Sequence, residues 1–231
     1  MHLAVLLTNT DDSAFAATHP DDGAKFAAMI AAVRPDWQVS VFAVKDAAFP
    51  APGARFDGWI IGGSPASVHD GDPWIVGLFA LIRDLVAQGQ PVFGACFGHQ
   101  AVAMAMGGTV GRNPGGWVFG LAETTMEGAP IRLYAAHLEQ VLALPPGAVG
   151  LGGNADCPIG SFALGDRVLC TQYHPEMTQE FAAALVREYA PKLPPEVALR
   201  AQASVRRKAD SDWIAQRIVR FFEDTVARLS F

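Results

Sequence analysis

Apolar residues along the first hundred positions fall into two alternating patterns. Short continuous apolar runs occupy residues 3–7, 39–44, 58–61 and 91–95, each bounded by turn residues or glycine. Runs of that length, apolar on both faces, predict strands of a parallel sheet. Residues 21–33 and 73–87 predict helices between them, with Asp21 and Asp22 placed to cap the first and Pro73 suited to the first turn of the second. This strand–helix rhythm predicts an α/β fold: a doubly wound, mostly parallel sheet with helices on both faces. Ligands of such sheets bind beyond the carboxyl ends of the strands.

The pattern changes at residue 109. From 109 to 169, short strand-like pieces alternate with turns such as Asn113-Pro114-Gly115-Gly116 and Pro145-Pro146-Gly147. This predicts an antiparallel extension before the chain returns to the sheet at 168–173. A helix follows over 178–189, then a break at Pro191-Lys192-Leu193-Pro194-Pro195. Residues 210–229 predict an amphipathic helix with Trp213, Ile214, Ile218, Phe221, Phe222, Thr225 and Leu229 on one side. Core docking is the first use of that stripe; a homodimer or partner surface stays open. Arg206-Arg207-Lys208 predicts a solvated helix face. Residues 1–190 are therefore expected to form one domain, and 191–231 a helical extension packed on it.

Composition narrows the function classes. Hydrophobic residues make up 51% of the 231, enough for a large core, and the formal net charge of −6 argues against binding nucleic acid or a membrane surface by charge. Cys96, Cys157 and Cys170 form neither a disulfide framework nor a paired metal motif, which suits a reducing compartment. The start has no basic leader and no stretch reaches the length of a membrane span, so a cytoplasmic location is expected. No metal or cofactor site is expected.

Two segments carry chemistry. The apolar run 91–95 reaches Cys96 inside Gly94-Ala95-Cys96-Phe97-Gly98 and continues into a helix-forming stretch. That is a strand, a tight elbow and a helix, with the thiol where free N–H groups and the positive helix end point. Such a site favours the nucleophilic thiolate. A lone cysteine is more often a buried structural residue, so a partner is needed. His174-Pro175-Glu176 supplies one at the end of a strand-forming run. In an extended segment residues two apart point the same way, so Glu176 can reach the His174 ring and fix its tautomer. A thiol sensor would not need that carboxylate, but a non-catalytic sensor on the same fold remains the alternative of a different class. Gly62-Gly63 follows the third strand and is either an ordinary turn or a place where backbone approaches a ligand closely.

Gly94-Ala95-Cys96-Phe97-Gly98-His99-Gln100, Tyr173-His174-Pro175-Glu176 and the block Phe56-Asp57-Gly58-Trp59-Ile60-Ile61-Gly62-Gly63-Ser64-Pro65 together resemble the class I glutamine amidotransferases, the Cys-His-Glu triad glutaminases. The likeness runs over about residues 1–190 and is nearest to the stand-alone group whose glutaminase domain is like that of GMP synthase. It implies a flavodoxin-like fold with a glutaminase reaction: Cys96 attacks the side-chain amide of glutamine, a thioester forms, and ammonia is released to an acceptor that the sequence does not identify. It further implies Gly63 and Phe97 as oxyanion-hole donors, and Gly62, Gln100 and His137 as substrate-binding residues, with His99 packing or hydrogen bonding. The glycine pair is expected to provide a backbone able to switch this hole on. In the family block written Ser-His-x-Asp-x-Val, this chain has Ala136 and Glu139 in place of Ser and Asp. That departure bears on how the amino-acid head is held. A free-standing γ-glutamyl amide hydrolase is the alternative, and a synthetase partner subunit stays open.

Overall fold

A computed structural model gives the architecture; the structure describes residues 1–229, with the side chain of Leu229 outside the described part. Seven strands form the main sheet: β1 (His2–Leu6), β2 (Gln38–Phe42), β3 (Gly58–Ile61), β4 (Val92–Ala95), β9 (Ala148–Gly152), β10 (Ser161–Leu164) and β11 (Val168–Thr171). Their order is β2-β1-β3-β4-β11-β10-β9. The first five in that order are parallel, and β10 and β9 join antiparallel at the edge. Because β1, β3, β4 and β11 are parallel neighbours, the segments leaving their carboxyl ends all open on one rim.

Helices cover both faces, as the apolar runs require. On one face α2 (Pro73–Ala87) and α3 (Phe97–Ala105) pack Leu78, Ile82, Phe97 and Val102 against Ala4, Leu6, Ile61 and Val92. On the other, α1 (Asp22–Val33) and α6 (Ser211–Leu229) pack Phe26, Ile30, Ile218 and Phe222 against Leu3, Val5, Ile60 and Phe93. The caps follow the local chemistry: the Asp21 carboxylate accepts from Ala24 N, the Thr178 hydroxyl accepts from Phe181 N at the start of α4 (Gln179–Tyr189), and Pro73 opens α2.

The stretch 109–169 is antiparallel, in three pieces. β5 (Thr109–Arg112) pairs with β8 (Glu139–Ala143), β6 (Val118–Met126) with β7 (Ala129–His137), and β9–β10 extends the sheet itself. Two expectations for the C-terminal part need correction. The proline-rich break leads directly into a helix, α5 (Pro195–Ser204), whose Val197 and Ala198 pack with Leu193 beside Trp117 and Phe119. Arg206-Arg207-Lys208 is the turn after α5, not a helix face; Arg207 pairs with Glu123. The stripe on α6 takes the first of its two expected uses, core docking: Ile214, Ile218 and Phe222 are covered by the sheet, with Trp213 half-buried beside them, which leaves no apolar stripe for the partner alternative. A Cβ on Gly58 would overlap the Phe222 ring, so helix and strand are in close contact. Among the described residues no helix is long and apolar enough to cross a membrane.

Candidate active site

Four parallel strands end around one cleft of about 490 Å³. Asn9 enters after β1, Gly63 and Ser64 after β3, Cys96 after β4 and His174 after β11; Ala136 comes from β7. The clustering follows from the sheet order alone.

Cys96 sits at the elbow with φ 50° and ψ −105°, a left-handed backbone that an L-residue holds at a cost of about 1–3 kcal/mol. The glycines two residues away on each side permit it. A Cβ on Gly94 would lie 2.7 Å from the Gly98 carbonyl oxygen, and one on Gly98 would overlap the Ile61 carbonyl. The thiol is less open than an elbow suggests: Cys96 lines the cleft but is only 4% exposed. Cys157 and Cys170 are fully buried, and burial pushes both thiols up, Cys157 to about 12. Neither is available as a thiolate.

His174 is held by its backbone and by its ring. Its N–H donates to the Tyr134 carbonyl at 2.9 Å, an isolated bridge to β7 that bends the segment toward the cleft. Nδ1 meets Glu176 Oε1 at 2.7 Å, so the extended His-Pro-Glu geometry does bring carboxylate and imidazole together. Nε2 is buried without a hydrogen-bond partner of ordinary geometry, and Glu176 Oε2 is likewise unpartnered. Burial pushes the His174 pKa down, but the negative charges of Cys96 and Glu176 on either side outweigh it, and the result is well above 6.5. The pocket therefore favours the charged imidazolium form of His174.

The glycine pair is fixed from both sides. Gly98 N donates to the Gly62 carbonyl at 3.0 Å, and the Thr8 hydroxyl donates to the Gly63 carbonyl at 2.9 Å. Neither glycine adopts a positive φ. Gly63 is required for another reason: a Cβ there would lie 2.8 Å from His174 Cε1 and 3.7 Å from Cys96 Cβ. The expected freedom to switch is thus replaced by a peptide tied to the start of α3. Phe97 is the first residue of α3, where a backbone N–H has no intrahelical acceptor. Gly62 stands behind Gly63, with a Cβ position 3.5 Å from Phe26 Cε2.

Gln100 and His137 lie one step behind the cleft rather than on its wall. Gln100 Nε2 donates to the Glu139 carbonyl at 2.8 Å and to Gln172 Oε1 at 3.2 Å. His137 Nδ1 meets the same Glu139 carbonyl at 3.0 Å; as a carbonyl only accepts, Nδ1 carries the proton. Burial pushes His137 down to about 4 and His99 down to about 3, so both are neutral imidazoles. The Glu139 side chain is occupied elsewhere, accepting from Ser67 Oγ at 2.7 Å. What this block contributes to the site is a backbone carbonyl, which the replacement of Asp by Glu leaves in place. Among the described residues no three His, Cys, Asp or Glu side chains gather as metal ligands.

Away from the thiol, the cleft has two unlike sides. One is acidic, with Asp11, Asp12, Asp21, Asp22 and Asp46; the other is apolar, with Trp117, Phe119, Met177, Phe181, Leu185 and Tyr189. Lys25 joins them: its Nζ pairs with Asp22 at 2.8 Å and stands 3.5 Å from the centre of the Phe181 ring. The sequence singled out only Asp21 and Asp22 among these, and only as helix caps, because the rest come from loops and helix faces without spacing of their own.

The sequence profile of the family described as "Glutamine amidotransferase class-I" matches residues 21–187. The chain belongs to that family, and its reaction class is amide hydrolysis. Among curated proteins it is similar to γ-glutamyl peptidase 3 of Arabidopsis thaliana, 31% identical over 64% of this chain and 67% of that one. A GMP synthase of Corynebacterium diphtheriae is 33% identical over 51% of this chain, but over only 23% of its own length. Among solved structures, a glutamine amidotransferase of Methylobacillus flagellatus is 28% identical with a TM-score of 0.66, covering 98% of this chain and 92% of the other. One from Thermotoga maritima shares the fold at a TM-score of 0.74 and 15% identity, covering 97% of each chain.

Proposed function

We propose that this protein hydrolyses a γ-glutamyl amide whose amine portion is larger than ammonia. The supporting observation is the cleft: about 490 Å³, lined by Cys96 and also by the aromatic residues Trp117, Phe119, Phe181 and Tyr189, for which a leaving ammonia has no use. The likeness to a γ-glutamyl peptidase points the same way. Cys96 attacks the γ-carbonyl carbon, and the oxyanion is received by the N–H groups of Gly63 and Phe97. His174 gives its proton to the departing amine as the C–N bond breaks, leaving a γ-glutamyl thioester on Cys96. It then takes a proton from water, whose oxygen adds to the thioester carbon and releases glutamate and thiolate. Glu176 holds the ring through Nδ1 and stabilises its charged form. Gln100 and His137 serve the substrate indirectly, through the Glu139 carbonyl and Gln172.

The test is kcat/KM for glutamine against a series of γ-glutamyl amides of increasing amine size. The reading expects aromatic amides to exceed glutamine by about tenfold or more, the equivalent of one good apolar contact of about 1.4 kcal/mol. A clear preference for glutamine contradicts it and returns the chain to the glutaminase role, with ammonia passed to a synthetase partner, for which the partial likeness to GMP synthase speaks.

A further inference from the structure

Cys96 has one side-chain neighbour that neither the triad nor the oxyanion donors include. Gln172 is fully buried between β11 and His174, and its Nε2 lies 3.7 Å from Cys96 Sγ, an ordinary reach for a large, soft acceptor. The direction of this contact is fixed by a chain of hydrogen bonds that starts at a backbone group. The Glu139 carbonyl can only accept, so it orients Gln100 with Nε2 toward it at 2.8 Å. The second hydrogen of that Nε2 faces Gln172 at 3.2 Å, which selects Oε1 of Gln172 as the acceptor. With its oxygen turned to Gln100, Gln172 presents an N–H to the sulfur. The opposite amide orientation would set two donors against each other at one end and a carbonyl oxygen against the thiolate at the other.

We infer that Gln172 is a positioning residue that donates an N–H to the Cys96 thiolate and, locked by Gln100, sets both the ionisation and the aim of the nucleophile. A buried anion needs donors. His174 offers a cation, the start of α3 offers N–H groups, and Gln172, the residue after β11, supplies a neutral donor. Gln172 and His174 follow β11 and α3 follows β4, so the sulfur is held between the ends of two adjacent parallel strands. Because the amide is uncharged, it supports the thiolate without adding a second buried charge. The inference rests on Cys96 being the nucleophile, and its test does not depend on the substrate.

The experiment follows iodoacetamide labelling of Cys96 by peptide mass spectrometry across a pH series, in the wild type, Gln172→Met and Gln100→Met. Met keeps the length of the side chain and removes the amide. In Gln172→Met the labelling midpoint is expected to move to higher pH, with labelling slowed about tenfold near neutral pH, the scale of a lost hydrogen bond to a charged group. At alkaline pH, where the thiol ionises regardless, the rates should converge on the wild type. Gln100→Met should move the midpoint the same way by less, since it removes only the lock. An unchanged midpoint in Gln172→Met overturns the inference. So does equal slowing at every pH, which marks a structural defect rather than lost donation. Amide hydrolysis by Cys96→Ala would remove the nucleophile reading separately, while the labelling series would still decide the role of Gln172.

Discussion

At the floor of the cleft and directly behind it Cys96, Gln100, Gln172, His174 and Glu176 are all buried and joined by hydrogen bonds to one another or to backbone carbonyls. At the rim Asp12, Asp21 and Asp46 are exposed, and Trp117, Phe119, Phe181 and Tyr189 are half-buried on a ribbon and a helix. The floor comes from the ends of adjacent parallel strands, whose positions the sheet dictates. The rim comes from the loops after β1 and β2, from the start of β6 and the residue before it, and from α4. Under the proposed function, reaction chemistry thus sits where the backbone is most constrained, and substrate choice where side chains can change without disturbing the sheet. Mutations in the two regions should separate accordingly.

The largest effect belongs to the floor. Glu176→Gln leaves a neutral partner at Nδ1 and no carboxylate to support the imidazolium, and kcat should fall on the order of 10⁴-fold with the fold retained. Steady-state kinetics together with a thermal melt checks this; near-wild-type turnover would mean that another group orients His174. Gly63→Ala comes next. The added methyl would stand 2.8 Å from His174 Cε1 beside a proposed oxyanion donor, so kcat should drop about 10²–10³-fold. Gly62→Ala meets only ordinary contacts, the nearest at 3.5 Å, and should cost far less. Equal losses for the two would break the distinction between them.

How much of this was legible in the sequence follows the same division. The elbow was readable because Gly94 and Gly98 are required by backbone crowding, which fixes their spacing around Cys96. His174 and Glu176 were readable because two residues apart in an extended segment is itself a geometry. Gln172 was not, since its role depends on Gln100 and on the Glu139 carbonyl, both distant along the chain. The rim was not, since its residues follow no period. α5 hid behind Pro191, Pro194 and Pro195: a proline that ends one helix also suits the first turn of the next, and Pro195 opens α5. The stripe on α6 was readable as a pattern, but whether it met the sheet or a partner depended on which sheet face lacked cover.

The rim supplies the third comparison. Trp117→Ala should raise KM for an aromatic γ-glutamyl amide by about tenfold while leaving kcat and the glutamine reaction unchanged, as expected for loss of one aromatic contact. A fall in kcat for both substrates would place Trp117 in the floor's machinery instead.

The smallest effect is on stability against pH. His99 and His137 are held neutral in the folded protein, with pKa values lowered from 6.5 to about 3 and about 4. The unfolded chain binds protons at both as pH falls through 6.5, so stability should decline from there toward pH 4. His174 has the opposite sign: its raised pKa contributes stability fully below 6.5, which is lost as pH rises through the folded value. Urea titrations over this range in His99→Gln should show a shallower acid slope than the wild type. An identical slope would mean that His99 takes up its proton inside the fold.

The central claim is that Cys96 carries the γ-glutamyl group. The direct measurement is rapid acid quenching during turnover of a γ-glutamyl amide, followed by peptide mapping. The account predicts a γ-glutamyl thioester on the peptide containing Cys96, absent in Cys96→Ala and absent from the peptides of Cys157 and Cys170. Turnover that persists in Cys96→Ala, or an acyl group mapped to another residue, would contradict it.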